Sequence, residues 1–99
     1  SKIADVIKEF EQWGLNVIVC DPWADAAEVK HEYGIDLGIV DAEHTVDALV
    51  VAVGHNEFRH MSAQELRKYA HGEKPVLTDV KSLFDRNEMV KQGFTVFRL

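Results

Sequence analysis

Along residues 3–13 the apolar side chains Ile3, Val6, Ile7, Phe10 and Trp13 recur at helical spacing, with charged residues between them. This predicts a helix ended by Gly14, a residue suited to a left-handed C-cap. Asn16–Cys20 is a short β-rich run, apolar on both faces, as in a strand covered on both sides of a parallel sheet. Asp21-Pro22 ends it. Residues 23–33 read as a helix, favoured by Ala24, Ala26 and Ala27 and stopped by Gly34. Gly38–Val40 is a weak edge strand and 41–46 a short helical turn. Ala48–Val53 is the strongest strand, closed by Gly54.

The second half continues the alternation. Ser62 with Glu65 three residues on forms a capping box, opening a helix that runs to about Ala70. Pro75–Asp79 is another buried strand, 81–92 a helix ended by Gly93, and Phe94–Phe97 a last strand. Short apolar strands alternating with helices of about ten residues define an α/β domain with a mostly parallel sheet. Right-handed crossovers put helices on both faces. The chain opens on a helix where doubly wound folds open on a strand, so a first strand is expected to be missing from it.

Length and composition narrow the class. The 99 residues suit one domain, and 46% hydrophobic with 28% charged residues is a globular composition. No apolar run approaches the roughly 20 residues of a membrane span, and no signal-peptide pattern precedes the first helix. A membrane is therefore not an expected partner. The net charge of −6 argues against nucleic acid, which calls for clustered Lys and Arg. The single cysteine, Cys20, excludes an intrachain disulfide and reads as an inert thiol at the end of a buried strand. Trp13 and Trp23 are expected to pack helices on the sheet, or, for Trp23, to form part of a cleft wall or an intersubunit contact.

Ligands of open α/β sheets sit beyond the carboxyl ends of the strands. Here those ends carry Asp21, Gly54-His55-Asn56 and Asp79-Val80-Lys81. Asp21 stands where a dinucleotide fold places its ribose-binding acid, but the chain has no G-x-G-x-x-G and no P-loop. The other reading of Asp21 is a helix cap or an Asx-turn before Pro22. Lys81, at the start of a predicted helix, offers a mobile positive charge suited to phosphate, or else a surface pair with Asp79. His55, after a strand and Gly54, either lines a cleft at this edge or satisfies backbone groups of its loop. The histidines 31, 44, 55, 60 and 71 show no metal-ligand spacing, and no nucleophile elbow is present, so no catalytic residue and no metal ligand are assigned.

The run Asp21-Pro-Trp-Ala-Asp-Ala-Ala-Glu-Val-Lys-His-Glu-Tyr-Gly-Ile35, with Asp47–Phe58, Asp79-Val-Lys81 and Phe94–Leu99, resembles a known family across essentially the whole chain. It is similar to the C-terminal UDP-binding domain of the UDP-glucose/GDP-mannose dehydrogenases. The nearer likeness is to the branch that oxidises UDP-N-acetylhexosamines for Vi polysaccharide and O-antigen synthesis. The first motif is specific to the branch; the others are shorter.

This resemblance implies a Rossmann-like three-layer fold and a single domain over residues 1–99. It implies a larger, cytoplasmic parent enzyme that oxidises the C6 alcohol of a UDP-sugar to a carboxylate with two NAD. NAD and the cysteine nucleophile belong to parts of the parent outside this segment, and Cys20 does not match the nucleophile motif. Lys81 falls where the family places a Lys or Arg facing the nucleotide sugar. With Asp79 and His55, chosen for their places at the strand ends, Lys81 makes up the candidate substrate-binding set. Ser1-Lys2 matches the tail of an R-N-S-K-like run that follows the family's first strand. Without that strand, the 16–20 and 48–53 strands are expected to close together or to pair between molecules. The implied partners are a UDP-sugar, the other domains of the parent, and further copies of the chain in a homo-oligomer. By itself the segment is expected to be inactive. The competing reading is a receiver-like signalling or binding module, which lacks support in Gly54 standing at the phosphoacceptor position.

Overall fold

The computed structural model describes residues 2–98. The chain divides into two compact units, Ser1–Val40 and Asp41–Leu99.

In the first unit, helix α1 spans Lys2–Gln12 and buries only Ala4. It ends as predicted: Gly14 adopts φ 88°, and the Leu15 amide bonds the Phe10 carbonyl at 3.1 Å. Trp13 meets Phe10 edge-on with centroids 5.7 Å apart, and its Nε1 donates to Glu9 Oε1 at 3.2 Å. The indole is nevertheless 66% exposed.

The run 16–20 does not become a strand. It makes one isolated parallel bridge, Val19 with Leu37, tied by the Gly38 amide to the Val19 carbonyl at 2.7 Å. Strand propensity reflects packing against neighbours, and one bridge supplies little of it. Gly38–Val40 likewise forms no strand, and Cys20 is exposed rather than buried.

Asp21 settles as an Asx-turn, its Oδ1 accepting the Trp23 amide at 2.9 Å. Helix α2 spans Ala26–Tyr33, beginning later than predicted because Asp25 caps it, accepting from the Glu28 amide. Trp23 is left in the preceding turn, 60% exposed. Gly34, at φ 69°, closes the helix.

The second unit holds the sheet. Strands β1 (Ala48–Val51), β2 (Val76–Asp79) and β3 (Thr95–Arg98) are parallel in the order β1-β2-β3. Helices α3 (Asn56–Arg59) and α4 (Ala63–Arg67) connect the first two strands, and α5 (Arg86–Lys91) the last two. Register aligns Leu49, Leu77 and Val96 across one face, followed on that face by Val51 and Asp79. Ala63, Leu66, Ala70, Phe84, Met89 and Phe94 pack with Val51, Leu77 and Val96 to form the core. Within this unit the opposite face carries exposed Val50 and Phe97.

The capping box forms as predicted. Ser62 Oγ accepts the Glu65 amide, and Glu65 reaches back to the Ser62 amide. The helix stops at Arg67, short of the predicted Ala70. The next amides bond three residues back, in a tighter turn: Lys68 to Glu65, Tyr69 to Leu66 and Ala70 to Arg67. Segment 41–46 contains a turn, the His44 amide bonding the Asp41 carbonyl at 3.2 Å and Asp41 Oδ1 accepting the amides of Glu43 and His44.

Candidate functional site

The three parallel strands end together, and the turns leaving β1 and β2 form the carboxyl edge of the sheet. Gly54 and His55 follow β1. The His55 carbonyl accepts from the Phe58 and Arg59 amides at 3.0 and 3.1 Å, which winds α3. The half-buried His55 ring lies tilted at 5.8 Å from Phe58. Arg59 folds back along the same loop, its Nε donating to the Gly54 carbonyl at 3.3 Å. Gly54 permits this close approach: a Cβ there would stand 3.0 Å from Arg59 Nη2 and 3.7 Å from Leu83 Cδ2. The β1 loop and the β2 turn are thus neighbours.

The turn after β2 is built around Asp79, which is 1% exposed. One carboxylate oxygen accepts the Leu83 amide at 2.9 Å and the other the Phe84 amide at 3.0 Å. Those two amides belong to the segment predicted to begin a helix at residue 81. With their hydrogens turned back to Asp79, the helix starts only at Arg86, capped by Asp85. Lys81 therefore stands in an exposed turn rather than at a helix N-terminus. The surface pair with Asp79 is not made; among the described residues Lys81 has no carboxylate partner.

The neighbouring guanidiniums are engaged with the backbone. Arg86 donates to the Val96 carbonyl at 2.7 Å, and Arg98 to the Phe84 carbonyl. Of the three residues selected from sequence, Lys81 offers a solvent-facing cation, His55 flanks the adjoining loop, and Asp79 organises the turn.

Two features here escaped the sequence reading. Arg59 at the edge carries no signal beyond its place in the Gly54–Arg59 loop. Ser82 has φ 53°, the only non-glycine positive φ among the described residues, and a serine gives no hint of that. A cleft of about 290 Å³ opens beside the edge, lined by Arg59, Met61, Gln64, Leu83 and Glu88 among others. The histidines do not gather: among the described residues no three His, Cys, Asp or Glu side chains are grouped to hold a metal ion. No described helix is long and apolar enough to cross a membrane.

In open α/β sheets ligands sit beyond the carboxyl ends of the strands, the edge at which the Lys81 cation stands. Residues 1–86 match the family model described as the UDP-glucose/GDP-mannose dehydrogenase family, UDP binding domain. The chain belongs to this family, and the match takes in His55, Asp79 and Lys81. It is 42% identical over 82 residues to a UDP-N-acetyl-D-glucosamine 6-dehydrogenase of Salmonella typhi, covering 82% of this chain and 19% of that protein. It is 35% identical over 88 residues to a UDP-N-acetyl-D-glucosamine 6-dehydrogenase of Pseudomonas aeruginosa, covering 89% of this chain and 21% of that one. Protein CapL of Staphylococcus aureus is 29% identical over 91 residues, covering 90% of this chain and 20% of the relative. The chain thus spans about a fifth of the length of the curated relatives it matches. Family membership displaces the receiver-like alternative.

Proposed function

We propose that this chain is the UDP-sugar-binding part of a cytoplasmic, NAD-dependent UDP-N-acetylhexosamine 6-dehydrogenase that serves surface-polysaccharide synthesis. In this reading Lys81 contacts the anionic diphosphate of the substrate, His55 borders the same edge, and Asp79 contributes through the turn that it closes. The observation that carries the reading is the exposed Lys81 ammonium, without a carboxylate partner among the described residues, at the carboxyl edge of a parallel sheet in this family. An anion placed there gains a charge-assisted contact without breaking an existing ion pair. Oxidation of the C6 alcohol with NAD is assigned to the parent enzyme, and no residue of this chain is assigned to NAD or to the chemical step. The parent is taken to be a homo-oligomer. Support for a strand-pairing route comes from β1 and β3, which are the outer strands of the sheet.

Heteronuclear NMR titration of the 99-residue chain with UDP, and separately with NAD, tests the reading. UDP is expected to shift the amides around Lys81 and His55, and NAD to shift neither. Lys81→Met should weaken UDP binding about five- to tenfold, corresponding to roughly 1–1.4 kcal/mol. Lys74→Met, which removes an exposed lysine on another turn, should leave it within about twofold. Equal affinity of the Lys81 variant and the unmodified chain would sink the assignment.

A further inference from the structure

On the reading that Lys81 meets the diphosphate, we propose that Asp79 and Ser82 are positioning residues that preset the Lys81 turn for an anion. Asp79 is nine-tenths and more buried, yet its carboxylate serves only the turn that follows it. Both oxygens accept backbone amides, from Leu83 at 2.9 Å and Phe84 at 3.0 Å. The Asp79 carbonyl accepts a third, from Ser82, at 3.3 Å. Three amides of one short turn therefore converge on a single residue.

The ends of the turn are fixed as well. The Val80 amide continues the sheet to the Val51 carbonyl at 3.1 Å. At the far end Phe84 is buried in the core, and its carbonyl accepts from the Arg98 guanidinium. Between these anchors Ser82 takes φ 53°. A non-glycine residue holds a left-handed conformation only when its surroundings determine it. Together the desolvated carboxylate and the left-handed serine fix the backbone path between β2 and α5.

What this geometry fixes is the backbone of Lys81, whose side chain is exposed. The ordering of the turn is completed on folding, so a ligand meeting the ammonium need not order the backbone on binding. Asp79 and Ser82 thereby influence affinity through Lys81 rather than by touching the ligand.

The test measures UDP affinity, melting temperature and backbone 15N relaxation on the 99-residue chain and its variants. Ser82→Pro forbids the left-handed φ and removes the amide that Asp79 accepts. It should weaken UDP about as much as Lys81→Met, five- to tenfold, and raise the fast motion of the Lys81 amide. Ser82→Gly, which takes the same φ without strain, should recover the affinity that Ser82→Pro loses. In the Lys81→Met background, Ser82→Pro should weaken UDP by less than about twofold further, because both act through one cation. Asp79→Asn presents an amide NH₂ to backbone donors and should likewise mobilise Lys81, giving a second route if Ser82→Pro does not fold.

A folded Ser82→Pro or Asp79→Asn variant that keeps the unmodified affinity and an ordered Lys81 amide overturns the inference. So do losses that multiply in the double variant, since the residues would then act independently of Lys81. If Lys81→Met itself leaves UDP affinity unchanged, the Lys81 reading fails. The relaxation measurement still decides whether Asp79 and Ser82 order that turn.

Discussion

At the scale of single residues, Arg67 shows how one side chain can tie several backbone segments of the second unit together. Its guanidinium donates to the carbonyls of Gln92 at 2.8 Å, Ala70 at 2.8 Å and Gly72 at 2.5 Å, and lies over the Phe94 ring. One planar fork thus joins the end of α4, the 70–74 loop and the entry to β3. Lysine cannot reproduce that fork. Arg67→Lys should cost about 1–3 kcal/mol, read as a drop in thermal midpoint of several degrees. Nothing in the sequence marks this residue, because its partners are backbone carbonyls as far as 25 positions away.

Asp41 offers a pH-dependent counterpart. The hydrogen bond from His44 holds its carboxyl below the ordinary value, with the amides of Glu43 and His44 adding to the effect. A carboxyl depressed in the folded state stabilises the turn above its unfolded pKa, and that contribution is lost as pH falls through the folded value. Acidification below pH 4 should therefore release the 41–44 turn, visible as movement of the Glu43 and His44 amides in NMR spectra. Asp41→Asn should remove that step.

At the scale of elements, local signals were accurate where the interaction is itself local. The capping box at Ser62 and Glu65 formed from two residues three apart. Ser62→Ala should cost about 1 kcal/mol in chemical denaturation. Gly14, Gly34 and Gly93 mark the helix stops in the sequence, and each has a positive φ. The strands at 48–51, 76–79 and 95–98 formed because each found a parallel neighbour. Leu77, fully buried in the central strand, should lose about 2–5 kcal/mol on truncation to alanine. The run 16–20 shows where local reading fails. Its composition is as β-prone as that of β1, but it makes one bridge instead of a ladder. The predicted helix at 81–92 lost its first turn for a similar reason, as Asp79 drew the Leu83 and Phe84 amides away.

At the scale of the whole molecule, the two units differ in burial. The second contains a connected apolar core, whereas α1 buries Ala4 alone and α2 buries no residue. Amide hydrogen exchange should therefore show α1 and α2 opening at least about tenfold faster than β2. The 99-residue chain, mixed with a UDP-N-acetylhexosamine and NAD, should yield no NADH, since the chemical step is assigned elsewhere in the parent enzyme. Absorbance at the nicotinamide band checks this, and any sustained turnover would place catalytic groups within this chain.

What the sequence determined by itself was the α/β alternation, the helix caps, the family motifs and the presence of a lysine after an acid at a strand end. All of these depend on residues close together in the chain or on local residue patterns. Only the tertiary structure decided that 16–20 would make one bridge instead of a strand, that Trp13 and Trp23 would lie exposed, and that Asp79 would turn inward while Lys81 faced out. Those outcomes depend on which distant groups supply a hydrogen-bond partner or a packing surface. Such competition between partners is settled by the folded chain as a whole, and no single segment carries it.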